Sequence, residues 1–240
     1  MITDKVAVVT GGSRGIGLAT ARAFLQRGAR VAITATSETT LRAATDELEK
    51  ITGSSAVLAV RADVRSHSDV EQAFSAVAGR FGGIDIVVNN AGVGAFGPVA
   101  EMTIEEWRRV IDTNVSGVFH GCRAAVPHLR ARGGGWIINI SSLSSTNPFS
   151  DGAAYCASKA AVNAFSEAFM QEVRHDGIRV ACVLPGSVRT GFMGRSSSGS
   201  DDWKLAPDDV AQVVGDLVDH PARSLPSRVE IRPARPPRKQ

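Results

Sequence analysis

The sequence predicts one α/β domain whose core is a parallel β-sheet of about seven strands, doubly wound with helices on both faces. Short, continuous runs rich in Val and Ile alternate with longer amphipathic stretches along nearly the whole chain. Strands buried on both faces have this uninterrupted apolar character, and strand–helix alternation indicates parallel strands joined by right-handed crossovers. The length of 240 residues suits one such domain.

The order of the elements follows from where these runs lie. The predicted strands cover residues 5–10, 30–36, 56–62, 84–90, 136–141, 179–185 and 228–231. The predicted helices cover residues 37–52, 68–81, 103–132 and 152–174, and another helix opens after the first strand. Neither a linker nor a repeat interrupts the series. We therefore predict one domain over residues 1–232 and a mobile, basic, proline-rich tail over residues 233–240. The polar loop at residues 196–202 has the position of an active-site lid.

Composition and charge indicate which classes of partner to expect. Hydrophobic residues make up 43% and charged residues 21% of the chain, which is typical of a globular protein. The formal charge of +3 is mild and several cations lie in the C-terminal tail, so neither nucleic acid nor a membrane is an expected partner. No apolar run approaches the ~20 residues that span a bilayer. The three cysteines lack CxxC spacing and the five histidines are scattered, which predicts no metal site and a reducing, cytoplasmic location.

The first predicted strand ends in a glycine-rich turn, TGGSRGIG at residues 10–17. Gly11, Gly15 and Gly17 permit a tight turn and a close approach of ligand to backbone, and the helix that follows offers its N-terminal amides to a diphosphate. We interpret the turn as a dinucleotide-binding site. A purely structural strand–helix turn is the alternative.

The end of the second strand indicates which dinucleotide binds. NAD-binding sheets place an Asp or Glu there to hold the ribose 2′-hydroxyl. This chain has Thr36 and Ser37 at those positions and no carboxylate before Glu38, while Arg14 lies in the glycine-rich turn. A cation and two hydroxyls suit a 2′-phosphate, so the sequence predicts NADP(H). The alternative is that Arg14 is a solvated turn residue and Glu38 supplies the acid.

Tyr155 is the only tyrosine of the chain and precedes Lys159 by four residues in a predicted helix. This spacing puts both side chains on one helical face, where the ammonium is expected to lower the pKa of the phenol from about 10. Tyr155 is therefore a candidate general acid/base for a carbonyl or alcohol oxygen. Ser142, just after the fifth strand, is a candidate hydrogen-bond donor to the same oxygen. A surface Tyr–Lys pair and a strand-end turn serine are the alternatives.

Taken together, these residues resemble the short-chain dehydrogenase/reductase family over residues 1 to about 231, and most closely the compact branch that includes β-ketoacyl carrier-protein reductases. The resemblance implies a Rossmann-like fold, an NADP(H)-dependent carbonyl reductase and a homodimer or homotetramer. The matching pieces occur in the family's order: TGGSRGIG at 10–17, Asp63 and Val64, NNAG at 89–92, Asn114, Ser142, YCASK at 155–159, and Pro185 with Gly186.

The resemblance also implies a role for each matched residue. Tyr155 would exchange the proton and Ser142 would orient the substrate oxygen. Lys159 would bind the nicotinamide ribose and lower the phenol pKa, and Asn114 would hold a water of the proton relay. The residues implied around the cofactor are Gly11, Ser13, Arg14, Gly15, Ile16, Gly17, Thr36, Ser37, Asp63, Val64, Asn90, Ala91, Gly92, Tyr155, Lys159, Pro185, Gly186, Val188 and Thr190.

The substrate pocket is predicted to be mostly apolar, which suits a ketone, an aldehyde or a 3-oxoacyl compound. Two features depart from the family pattern: the chain ends in VEIRPARPPRKQ instead of a Val-Asp-Gly-Gly type tail, and the lid segment between Thr190 and Pro207 is short. Three other functions stay open, namely an NAD-linked alcohol or sugar dehydrogenase, a non-catalytic NADP(H)-sensing module and a nucleic-acid binder using the basic tail. The candidate lining residues are Gly94, Phe96, Leu143, Phe149, Ser187, Phe192, Met193 and Trp203.

Overall fold

The computed structural model describes residues 2–193 and 201–237, and within them the sheet has seven strands, all parallel. Their order is β3-β2-β1-β4-β5-β6-β7. All seven predicted runs form strands, and the predicted fold class is confirmed. The strands are β1 (Val6–Thr10), β2 (Arg30–Ala35), β3 (Val57–Arg61), β4 (Ile86–Asn89), β5 (Gly135–Ile140), β6 (Ile178–Pro185) and β7 (Arg228–Ile231).

Seven α-helices connect and cover these strands in the described part of the chain. The sequence analysis did not predict α7. Its first turn nevertheless contains Pro207, Asp208 and Asp209, which are typical of a helix start. The helices are α1 (Gly15–Gln26), α2 (Glu38–Thr52), α3 (His67–Phe81), α4 (Ile104–Ile111), α5 (Gly117–Ala131), α6 (Ala153–Val173) and α7 (Pro207–Val218).

The long helix predicted over residues 103–132 is interrupted by a π-helical turn. Asp112–Ser116 adopts this wider geometry between α4 and α5 and contains Asn114. A π-turn inserts one extra residue per turn and is frequently found at functional sites. The apolar periodicity of the flanking helices does not reveal the insertion, so the prediction of an uninterrupted α-helix was wrong at this point.

Alternate strand residues form two apolar layers, one on each side of the sheet. On one side Val6 and Val8 of β1 join residues of α3, α5 and α6, including Phe74 and Leu129. On the other side Ala7 and Val9 pack with Phe24 of α1 and with residues of α2 and α7. This two-sided burial explains why the central strands have no polar face.

The strands were predicted to be buried on both faces, and the two edge strands are not. Side chains of β3 and β7 alternate between more and less exposed positions, because each of these strands is covered less completely by helices. No helix in the described ranges 2–193 and 201–237 is both long and apolar enough to cross a bilayer.

The direction of strand addition reverses between β1 and β4, since β2 and β3 lie on one side of β1 and β4 to β7 lie on the other. Ligands of open α/β sheets bind at the carboxyl ends of the strands at such a reversal. The predicted site residues follow the carboxyl ends of β1, β2, β3, β4, β5 and β6 or lie on the neighbouring helices.

Candidate active site

The glycine-rich turn after β1 has no space for side chains at three of its glycines, Gly11, Gly12 and Gly17. Gly11 has a φ of 63°, and a Cβ there would lie 2.8 Å from Cα of Ala91. A Cβ on Gly17 would lie 2.5 Å from Nδ2 of Asn90 and 2.5 Å from the carbonyl oxygen of Gly11. The turn therefore packs tightly on the segment after β4, and α1 begins directly behind it with no side-chain cap from Arg14.

Asn90 and Thr10 fasten this turn to the end of β4. Asn90 Nδ2 donates to the carbonyl oxygens of Thr10 (2.9 Å) and Gly11 (3.1 Å). Thr10 Oγ1 accepts from the backbone amides of Asn90 (3.0 Å) and Ala91 (3.1 Å). The Asn90 side chain thus holds the glycine-rich turn, and the backbone at Ala91 and Gly92 forms the wall beside it.

The loop after β6 approaches the same turn. A Cβ on Gly15 would lie 3.2 Å from Cγ2 of Thr190, so Thr190 faces the start of α1. Val188 pairs with Leu205 in an isolated parallel bridge, and the Gly186 amide donates to the Ile231 carbonyl oxygen at 2.8 Å. The structure therefore gathers the residues predicted after β1, β4 and β6 at one edge of the sheet.

Hydroxyl groups cluster where the glycine-rich turn meets the start of α2. Ser37 caps α2 by accepting from the Thr40 amide, and Thr40 Oγ1 donates to Ser13 Oγ at 3.2 Å. Thr36 and Arg14 are exposed beside them. The sequence analysis missed Thr40, although its position three residues after a serine N-cap is a recognisable signal. The free amides of a helix N-terminus and a nearby cation favour an anion here.

Asp63 lies just after β3 and is paired with a residue that the sequence analysis did not consider. Arg65 donates to Asp63 through Nε (3.0 Å to each carboxylate oxygen) and through Nη2 (2.6 Å to Oδ2). The Arg65 guanidinium holds the pKa of the Asp63 carboxyl below its usual value. Neighbouring Val64 is buried, and a Cβ on Gly117 would lie 2.8 Å from its Cγ2, so its side chain packs on α5.

Asn114 is fully buried, and both polar atoms of its side chain form hydrogen bonds. Its Oδ1 accepts from the Val93 amide at 2.8 Å. Its Nδ2 donates to the Val93 carbonyl oxygen and to Ser158 Oγ, both at 2.9 Å. The π-turn therefore links the segment after β4 to α6, the helix that carries Tyr155.

Tyr155 on α6 lies beside the turn that carries Ser142. Burial raises the pKa of the Tyr155 phenol, and the hydroxyls of Ser142 and Ser144 counter part of this rise. Ser142 Oγ also accepts from the Ser144 amide at 3.2 Å. Ser144 is buried beside Ser142 and the phenol. Sequence reasoning missed Ser144, because a serine in a short turn carries no positional signal.

Lys159 is on the same face of α6 as Tyr155, and its ammonium hydrogen-bonds the backbone of β5. Its Nζ donates to the Ile140 carbonyl oxygen at 2.8 Å and lies 5.8 Å from the centre of the Tyr155 ring. Burial lowers the pKa of Lys159 to about 8. The spacing argument placed both residues correctly. The expected lowering of the phenol pKa by Lys159 is not found within the protein's own groups, where burial dominates.

Asn163, one turn beyond Lys159, fixes the turn that carries Ser142. Its Nδ2 donates to Ser145 Oγ at 2.8 Å, and Ser145 Oγ donates in turn to the Ser142 carbonyl oxygen. Its Oδ1 accepts from Cys182 Sγ of β6 at 3.3 Å. The i+4 spacing from Lys159 is the signal that could have identified it. Asn163 is thus a positioning residue that couples α6 to the serine-bearing turn.

Two phenylalanines of the predicted pocket flank Tyr155, and a third stacks on one of them. The ring centres of Phe96 and Phe192 each lie 5.7 Å from that of Tyr155, and Phe149 stacks on Phe96 at 6.1 Å. Ser187 instead accepts from the Leu205 amide through its carbonyl oxygen. The side chain of Met193 and most of the predicted lid at residues 196–202, up to residue 200, lie outside the described residues.

The assembled site can bind a dinucleotide and carry out proton transfer. Gly92 lies between the glycine-rich turn and the polar side chains near Tyr155, since a Cβ there would lie 3.3 Å from Asn114 Oδ1 and 3.6 Å from Lys159 Nζ. The glycine-rich turn and the wall at Gly92 form a cradle of bare backbone, and its inner end reaches the residues around Tyr155.

Comparisons with known proteins agree with this arrangement. Residues 5–201 match the short chain dehydrogenase family. An uncharacterized oxidoreductase of Staphylococcus epidermidis is 33% identical over 232 residues, which cover 97% of this chain and 98% of that protein.

Two solved structures superpose on nearly the whole chain. An alcohol dehydrogenase from the archaeon Thermococcus sibiricus, complexed with 5-hydroxy-NADP, is 32% identical with a TM-score of 0.89 and covers 98% of this chain and 99% of its own. A 3-ketoacyl-(acyl-carrier-protein) reductase from Brucella melitensis, complexed with NADH, is 28% identical with a TM-score of 0.89 and the same coverage of both chains.

Proposed function

The chain belongs to the short-chain dehydrogenase family, and we propose that it is an NADP(H)-dependent oxidoreductase that interconverts a ketone or aldehyde and the corresponding alcohol. The observation that carries this proposal is that Tyr155 lies beside both Ser142 and Lys159, and that Lys159 Nζ also lies beside Gly92 at the inner end of the glycine-lined cradle. The test is consumption of NADPH, followed by its absorbance, with a panel of carbonyl substrates.

The residues present fit a bound dinucleotide. A Cβ on Gly11 or Gly17 would fill the space between the turn and the segment after β4, and the first amides of α1 face the same space without a side-chain cap. The glycine-rich turn would hold the diphosphate, and Asp63 with Arg65 would lie near the adenine. Ala91 and Gly92 would lie along the adenosine ribose, and Val188 and Thr190 would meet the carboxamide.

The catalytic roles follow from the chemistry of each group. NADP(H), when bound, supplies or accepts the hydride. Tyr155 Oη gives a proton to the substrate oxygen during reduction and takes it back during oxidation, while Ser142 Oγ donates a hydrogen bond to that oxygen. Lys159 uses one donor for the Ile140 carbonyl oxygen and has others for the ribose hydroxyls. Asn114 holds the segment at Val93 and the start of α6 in register.

The coenzyme preference is expected to depend on Arg14. NADPH should bind more tightly than NADH, and Arg14→Ala should remove most of the difference, about 2 kcal/mol or roughly 30-fold, because one charge-assisted contact to the 2′-phosphate is lost. Titration calorimetry with both coenzymes measures this. Lys50→Ala, which removes an exposed cation from the far end of α2, is the control and should leave the preference unchanged. Equal affinities of the parent protein for NADPH and NADH would contradict the assignment.

A second copy of the chain is the expected partner. Phe119 on α5 is 44% exposed, and its ring lies 6.4 Å from that of Phe165 on α6, which stacks on Phe169 at 5.5 Å. A row of aromatic rings on neighbouring helices favours burial against another molecule. We expect at least a dimer by light scattering at micromolar concentration, and Phe119→Asp should shift the protein toward the monomer. A monomeric mass for the parent protein would rule this out.

A further inference from the structure

The aromatic rings beside Tyr155 indicate which class of substrate the site accepts. This inference rests on the proposed function. Phe96 and Phe192 flank the Tyr155 ring at the same distance, 5.7 Å, and at the same tilt of 55°. Phe149 extends this group outward, stacked on Phe96 with 24° between the ring planes. A substrate oxygen that reaches Tyr155 must therefore bring its substituents against aromatic faces and edges.

Two glycines leave the space that these rings occupy. A Cβ on Gly94 would lie 2.5 Å from Cε2 of Phe96 and 3.3 Å from Cε1 of Phe192, so both rings pack directly on bare backbone. A Cβ on Gly152 would lie 2.5 Å from Cε2 of Phe149. The rings therefore occupy the space that a side chain at either position would need, and the aromatic group depends on both glycines.

The same rings remain open to a ligand. Phe96 is 38% exposed and Phe149 is 49% exposed, although both belong to the most apolar residue types. Clustered exposed aromatic side chains next to a chemical site mark a binding surface. Aromatic rings prefer offset or edge-to-face partners with centres ~4.5–7 Å apart, which is the spacing that these rings already keep among themselves.

We propose that the substrate is an aryl ketone or its secondary aryl alcohol, with the aromatic ring held against Phe96, Phe149 and Phe192 and the oxygen directed to Tyr155. In reduction the carbonyl carbon gains a hydride from NADPH, which becomes NADP⁺, and the carbonyl oxygen gains the Tyr155 proton. A saturated ring of similar size buries similar apolar area but lacks the ring–ring attraction, so the preference separates aromatic from merely apolar recognition.

The experiment compares acetophenone with cyclohexyl methyl ketone, which have the same skeleton and differ in the aromaticity of the ring. We expect kcat/KM to favour acetophenone by about tenfold, since each aromatic pair contributes roughly a factor of 3 to 10. Phe96→Leu and Phe149→Leu should each reduce this ratio several-fold by acting on acetophenone alone. Val99→Ala, in the loop that follows Phe96 and 69% exposed, should leave the ratio unchanged.

A measurement without turnover keeps the two proposals apart. Saturation-transfer NMR of 1-phenylethanol and 1-cyclohexylethanol with the NADPH-loaded protein, in which neither alcohol can react, should show stronger binding of the aryl alcohol, and Phe149→Leu should reduce the difference. Equal binding of the two alcohols, or a kcat/KM ratio that Phe96→Leu and Phe149→Leu leave unchanged, would overturn the aromatic inference while leaving the proposed function intact. Selective binding of the aryl alcohol with no reduction of either ketone would support the aromatic site and overturn the proposed function.

Discussion

Tyr155→Phe is expected to lower turnover by about 10²–10⁴-fold, the loss typical of a missing general acid/base. The variant keeps the ring that packs against Phe96 and Phe192 and removes only the hydroxyl that exchanges the proton. The fold and the affinity for NADPH should therefore be those of the parent. Single-turnover reduction of an active ketone, with coenzyme binding measured in parallel by calorimetry, checks both expectations.

The pH dependence provides the control for this variant. Alcohol oxidation requires the ionised phenol, and burial raises its pKa, so the rate in the parent protein should climb as the pH rises toward the alkaline range. Residual activity of Tyr155→Phe should lack this limb. Ser142→Ala combined with Tyr155→Phe should cost little more than Tyr155→Phe alone, because both act on one oxygen. Near-normal turnover of Tyr155→Phe would show that the reaction centre lies elsewhere.

The strands of this fold could be predicted because burial on both faces leaves a direct mark on the sequence. Apolar runs rich in Val and Ile are typical of strands that are covered on both sides, and every predicted run became a strand. The edge strand β3 shows the same apolar bias although it is half-covered. In β7, Arg228 and Glu230 alternate with Val229 and Ile231, which is the pattern of a strand with one exposed face. Helix α7 was missed because its short apolar stripe follows the low-complexity segment.

The candidate site could be predicted as far as local spacing determines geometry. The four-residue step from Tyr155 to Lys159 put both on one face of α6, and the structure agrees. Where the Lys159 ammonium points depends on the Ile140 carbonyl at the end of β5, which no local pattern reveals. The position of Asn163 against the serine-bearing turn also depends on a tertiary contact, its hydrogen bond to Ser145. The π-turn at Asn114 shifts the helical period by one residue. The spacing of apolar residues in ordinary amphipathic helices varies by as much, so the sequence does not reveal the π-turn.

Lys159→Met is expected to stabilise the coenzyme-free protein near neutral pH while abolishing its activity. The pKa of Lys159 falls from 10.5 to about 8 because the ammonium is buried. Below pH 8 the folded protein therefore holds a charge that the unfolded chain solvates better, which costs about 3 kcal/mol of folding free energy at 1.36 kcal/mol per pKa unit. Methionine has a similar shape and no charge, so most of this cost should disappear, less the lost hydrogen bond to Ile140.

The sign of the pH effect makes this prediction specific to Lys159. Between pH 8 and 10.5 the folded lysine has lost its proton and the unfolded one has not, so the unfolded state binds more protons and stability rises with pH. Urea unfolding of the coenzyme-free parent should therefore gain about 2 kcal/mol from this group between pH 7 and 9.5 relative to Lys159→Met. Burial also raises the pKa of the neighbouring Cys182 thiol, which acts in the opposite direction. Because the Lys159 charge lowers that pKa, the Cys182 effect should be at least as large in Lys159→Met, and this adds to the difference between the two proteins in the same sense. Lys50→Met, at an exposed lysine, should behave as the parent does. If the parent and Lys159→Met showed the same change in unfolding free energy with pH, the buried ammonium would not be the source of the cost.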